Sequence, residues 1–200
     1  MKNLLIVIIA MIMGGCYSAQ YNVRIKDVVR QQKTIDMNGE QQIVHLSKSV
    51  SKFEDDMISI EWTYDQTNMV FKLTNKSNTE NLKIIWNDVT FVSVDNESKK
   101  IIHGGVKYVE KNNFCTPSVI VYNSIINDMI LPTNNIVLSK TTWKELPIFP
   151  KDLIAIGDLE KYISTYKNKQ FKILMPLQMG DIIHEYLFIF TIRDIWKEQN

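Results

Sequence analysis

Apolar residues in this chain recur mainly at every second position. In Ile58-Ser59-Ile60-Glu61-Trp62-Thr63-Tyr64-Asp65 the alternation is clean, and it puts Ile58, Ile60, Trp62 and Tyr64 on one face of a strand. After Asp65-Gln66-Thr67 the pattern resumes with Met69, Phe71 and Leu73 on one face, which predicts an antiparallel hairpin. A longer run from Leu82 to Val94 is rich in β-branched and aromatic residues, and Asn87-Asp88 predicts a bend or bulge within it. Shorter strands are predicted for Lys99 to His103, Val119 to Tyr122 and Ile125 to Leu131. The chain then runs through an irregular connection, Ile136 to Lys151, that holds Trp143. Gln170 to Gln178 and Ile182 to Ile192 form the last two strands, joined by a turn at Met179-Gly180-Asp181. Tyr186, Phe188, Phe190 and Ile192 share one face of the final strand.

Only one stretch has a clear helical period. Asp158 can cap the start and Leu159, Tyr162, Ile163 and Tyr166 recur at three- and four-residue spacing, which predicts a short crossover helix over 158–166. Some eight strands with a single helix predict an all-β fold. An antiparallel immunoglobulin-like β-sandwich is the leading arrangement, and a small barrel is the alternative. Residues 54–195 are the expected β-sandwich domain, and 196–200 a polar tail. The polar stretch before it, residues 16–53, reads as the mature N-terminus followed by a flexible tether. Within that stretch Asp27 to Gln32 suits a turn or two of helix, and Gln42 to Leu46 a short strand.

The first fifteen residues break every one of these patterns. Lys2 is followed by an unbroken apolar run, Leu4 to Met13, and then Gly14-Gly15-Cys16. A basic start, a short apolar core and small residues before the cut make a secretory signal peptide. The run is shorter than the roughly 20 residues a membrane-spanning helix needs. The Gly-Gly-Cys ending resembles the lipobox of bacterial lipoproteins, which makes Cys16 the lipidated first residue of the mature chain. An ordinary signal cut elsewhere and an uncut signal anchor are the alternatives. Acyl chains carried on Cys16 anchor a protein by burying methylenes, each contributing about 0.8 kcal/mol.

Composition narrows the function classes. Cleavage removes Lys2 and takes the formal net charge from +1 to zero, so there is no basic footprint for nucleic acid. With Cys16 lipidated, Cys115 is the only other cysteine, which rules out an internal disulfide in the mature chain. No His or Asn neighbours Cys115 in the way a catalytic thiol requires. His45, His103 and His184 lie far apart without a second ligand at metal-binding spacing. Gly-rich phosphate loops and serine-nucleophile elbows are absent from the sequence. The sequence therefore predicts a non-enzymatic protein without metal or cofactor.

Two features are candidates for recognition. His103, Lys107 and Tyr108 surround Gly104-Gly105 and suit a binding loop, although a strand-ending His, a solvated Lys and a packed Tyr explain them equally simply. Trp62 and Trp86 fall on apolar strand faces and belong in the core, whereas Trp143 suits contact with a sugar or a partner, or loop packing.

The middle of the chain also resembles a group of uncharacterised bacterial lipoproteins. The resemblance rests on Phe71-Lys72-Leu73-Thr74-Asn75-Lys76-Ser77, Ile84-Ile85-Trp86-Asn87-Asp88, Phe91-Val92 and His103-Gly104-Gly105-Val106-Lys107-Tyr108. It covers roughly residues 57–131 and implies an immunoglobulin-like sandwich behind a lipobox, with no residue assigned a role. The resulting expectation is a membrane-anchored envelope protein, facing the periplasm from the outer membrane where the host has two membranes. Its domain is expected to bind an envelope protein, with glycan or small-ligand binding as the alternative.

Overall fold

The computed structural model describes residues 17–34, 37–153 and 157–199, and the side chains of 17–32, 50–153 and 157–198. The signal segment and Cys16 lie outside the described residues. Among the described residues fifteen strands follow in chain order: β1 (Tyr17–Thr34), β2 (Met37–Val50), β3 (Lys52–Glu54), β4 (Ile58–Asp65), β5 (Asn68–Asn75), β6 (Leu82–Ile84), β7 (Thr90–Val92) and β8 (Ser98–Ile102). After them come β9 (Ser118–Ile120), β10 (Ile125–Pro132), β11 (Ile136–Ser139), β12 (Thr142–Glu145), β13 (Asp152–Leu153), β14 (Gln170–Met179) and β15 (Ile182–Gln199). One helix, α1 (Asp158–Tyr166), sits between β13 and β14.

The fold is all-β, as the alternation predicts, and all its strand pairs are antiparallel. Its main path of hydrogen-bonded neighbours is continuous, in the order β13-β1-β15-β14-β7-β8-β10-β5-β4-β3. The strands curl so that β4 and β5 face β14 and β15 across the core. The two layers are joined along one side by the short β8–β10 pairing at Leu131↔Ile102 and Pro132↔Ile101.

Period-two alternation does the work of closing this core. Ile58, Ile60 and Trp62 of β4 meet Tyr186, Phe188 and Phe190 of β15, all at 6 % exposure or less. The Trp62 ring lies 5.1 Å from Phe71, 5.4 Å from Phe188 and 5.5 Å from Phe190. Tilted and edge-on pairs of this kind add about 0.5–1.5 kcal/mol each beyond the area they bury.

Three expectations change. Residues 17–34, expected as part of a tether, form β1, which pairs with β15 from Tyr17↔Gln199 to Lys33↔Ile183. Its inward positions Ala19, Tyr21, Ile25 and Val28 are buried, and extended pairing replaces the helical turn expected at Asp27 to Gln32. Residues 37–50 form β2 against β1, longer than the short strand expected there. Residues 196–199, expected as a tail, continue β15, because β1 supplies the partner that orders them.

Within the predicted domain, the bend at Asn87-Asp88 is a 3-10 turn over Trp86–Asp88 that separates β6 from β7. The irregular 136–151 connection contains the hairpin β11–β12, with Trp143 opposite Leu138. Helix α1 spans the expected residues, but Gly157, not Asp158, is its N-cap.

Candidate functional site

Three of the four candidate recognition residues converge. The chain leaves β8, turns at Gly104-Gly105, and enters a 3-10 turn over Tyr108–Glu110 with Lys107 at its start. Opposite it stands the β11–β12 hairpin. Ile102, Leu131 and Ile136 form a small buried cluster beneath, and Val106, Tyr108, Met129 and Trp143 pack on it. Val106, Lys107, Tyr108, Val109 and Trp143 then line a shallow cleft of about 360 Å³. Val109 is 74 % exposed at its rim.

Polar contacts fix this geometry. The Tyr108 and Trp143 rings meet edge to face at 6.4 Å. The Tyr108 hydroxyl donates to Glu145 Oε1, while Glu145 Oε2 accepts from Thr67 Oγ1 at 2.7 Å. That carboxylate pushes the Tyr108 phenol up to about 12, so it stays protonated and acts as a donor. Lys111 Nζ donates to the carbonyls of Thr133 and Ile136 at 2.9 and 2.6 Å and lies 5.8 Å from the Trp143 ring centre. The cleft is therefore apolar, aromatic and rigidly braced, with Lys107 as its exposed charge. It has the character of a binding surface.

His103 does not join it. Its ring stacks on Trp86 at 4.0 Å and 5°, and its Nδ1 lies 3.3 Å from Asp128 Oδ2. Asp128 Oδ1 also accepts from the backbone of Gly104 and Met129, both at 2.7 Å. His103 thus closes the loop from beneath. A Cβ on Gly104 would stand 2.8 Å from Asp128 Oδ1, so a glycine here lets the carboxylate reach the backbone.

A second polar cluster, invisible in the sequence, lies toward the other end of the sheet. Asp55 Oδ2 accepts from Arg30 at 3.0 Å and from the Tyr186 hydroxyl at 2.7 Å, and its Oδ1 accepts from the Met57 and Ile58 amides. Burial pushes the Tyr186 phenol far up, reinforced by Asp55. His184, 6 % exposed on the same face of β15, is held below the usual imidazole range by burial and by the Arg30 charge. Its Nδ1 has no hydrogen-bond partner among the described residues. Tyr186, Asp55 and Arg30 are mutually satisfied, which makes this cluster a clasp between β1, β15 and the β3–β4 loop.

Cys115 is half-buried, and burial pushes its thiol up. Asn87 binds the Cys115 backbone through two hydrogen bonds, 2.8 and 3.0 Å. No group of three or more His, Cys, Asp or Glu able to hold a metal occurs among the described residues. A further groove of about 380 Å³ runs between β1 and β4, with Asn22, Arg24, Glu61 and Thr63 among its lining and Trp196 at one side. Trp196 is 46 % exposed and is the most exposed large aromatic of β15. Sequence reasoning overlooked it because residues 196–200 read as a tail. Comparison with protein-family models, curated proteins and solved structures returns no match.

Proposed function

We propose that this chain is a non-enzymatic, lipid-anchored protein of a bacterial envelope, akin to the uncharacterised lipoproteins it resembles. In this reading Cys16 carries the lipid, and the cleft walled by Lys107, Tyr108, Val109 and Trp143 receives an apolar side chain of another envelope protein. The observation that carries the reading is the convergence of those residues, from two separate segments, on one braced apolar cleft. Aromatic anchors beside exposed aliphatic residues are the usual centre of a protein–protein contact. The test is photo-crosslinking in intact cells from a photoreactive amino acid at Val109, read by mass spectrometry. One dominant protein adduct, lost in Trp143→Ala, is expected. Adducts spread over abundant bystanders contradict the reading.

The Trp143–Tyr108 pair beside Lys107 favours a second reading, glycan or small-ligand binding. Envelope polysaccharide that quenches tryptophan fluorescence, with the effect lost in Trp143→Ala and kept in Lys107→Ala, would promote it over the first.

A further inference from the structure

The sequence places no residue between Cys16 and Tyr17, and Tyr17 is already a paired residue of β1. Consecutive Cα atoms are about 3.8 Å apart, so a lipid on Cys16 holds the start of β1 directly at the headgroups, where a long tether would let the domain wander. Tyr17 is not free to swing away. It pairs with Gln199 of β15 on one side and with Leu153 of β13 on the other, and the Ala19 amide donates to the Lys151 carbonyl at 2.7 Å.

The strand register shows what else occupies that end. Trp196 lies opposite Gln20, only three residues along β1 from Tyr17, or about 10 Å at the usual rise of a strand. Its side chain is exposed, and the following residue, Lys197, on the opposite face of β15, places Nζ 3.6 Å from the Tyr17 ring centre. Gln66, in the β4–β5 turn, donates to Gln20, and the neighbouring Thr67 holds Glu145 of β12. Glu145 in turn accepts from the Tyr108 hydroxyl at the wall of the cleft. The start of β1, Trp196 and the Trp143 cleft are therefore linked through the β4–β5 turn.

We propose that this end is seated on the phospholipid headgroup layer, with Trp196 as its interfacial side chain and Tyr17 with Lys197 beside it. The proposal rests on lipidation of Cys16. Tryptophan and tyrosine favour the headgroup level because an apolar ring and a polar tip suit its two solvents, and lysine reaches outward from there. The cleft then opens at membrane level, so its partner is met there and not deep in the aqueous space.

The test uses the full-length lipidated protein, purified from membranes and placed in phosphatidylethanolamine–phosphatidylglycerol vesicles with brominated acyl chains. Trp62 and Trp86 are buried, so lipid quenching reports the exposed rings. Quenching by brominated lipid that is mostly lost in Trp196→Phe, with flotation unchanged, supports the proposal. Vesicles that float the protein without quenching it, or quenching that persists in Trp196→Phe, overturn the seating while leaving the anchor intact. Failure of the wild-type protein to float, together with an N-terminal mass lacking lipid, overturns both.

Discussion

Asp55 shows how much one side chain carries in this fold. Its two oxygens accept from Arg30, Tyr186 and the amides of Met57 and Ile58. Asp55→Ala strands those donors in a largely water-free place. We expect a loss of about 2–4 kcal/mol by urea denaturation, since each unmet buried donor costs about 1–3 kcal/mol. His184 makes the clasp pH-sensitive. Burial and the Arg30 charge hold its folded pKa below the ordinary imidazole value of about 6.5, so the unfolded chain binds the proton more readily. That stability is fully present above pH 6.5 and is lost as pH falls through the folded pKa. The melting temperature should therefore fall between pH 7.5 and 5.5, with a shallower slope in His184→Phe. Glu54, held at about 2 by hydrogen bonds from Lys52 and Lys76, acts in a separate window below 4.5. At Gly104, a methyl group would displace the Asp128 carboxylate from the loop. Gly104→Ala should cost about 1–2 kcal/mol by the same assay, with His103 losing its order in NMR spectra.

At the scale of the elements, the core and the edges should respond differently. Phe188→Ala removes a ring packed against Phe53, Trp62 and Tyr186 and should cost about 3–5 kcal/mol. Val28→Pro tests whether β1 is a strand or a tether. Val28 lies between Phe188 of β15 and Val44 of β2, so proline there breaks the ladder and should cost on the order of 2–4 kcal/mol in a thermal or urea melt. In a flexible tether the same change would be silent.

Sequence legibility followed the regularity of each element. β4 alternates cleanly, and the inward residues Met69, Phe71 and Leu73 of β5 and Tyr186, Phe188, Phe190 and Ile192 of β15 were readable at every second position, whereas β14 was readable only as a strand. β1 was not, because register shifts between Asn22/Val23 and between Ile25/Asp27 break its period, and its outward face is glutamine, asparagine and arginine. The β11–β12 hairpin was hidden because its turn places Lys140, neither glycine nor asparagine, at φ 56°. At the candidate site, Lys107, Tyr108 and Trp143 were identifiable as unusual residues, but their meeting depends on a hairpin that no local pattern announced. His103 was chosen for the same loop, and its ring belongs to Trp86 and Asp128 instead. Trp196 was lost to the apparent tail.

For the whole molecule, the proposed lipid on Cys16 is joined directly to Tyr17, a paired residue of β1. In that reading the mature chain has no net charge and attraction to anionic lipid adds little, so membrane residence would depend on the lipid and on the aromatic end beside it. In the proposed reading, Cys16 is the residue on which localisation, orientation and access to the cleft all depend. The most direct measurement is the mass and fragmentation of the N-terminal peptide of the protein made in bacterial cells, alongside membrane fractionation of Cys16→Ala. The account predicts a mature chain that begins at Cys16 with a diacylglyceryl thioether, and a Cys16→Ala protein that leaves the membrane fraction. A wild-type chain that begins elsewhere without lipid, or membrane association unchanged in Cys16→Ala, would contradict it.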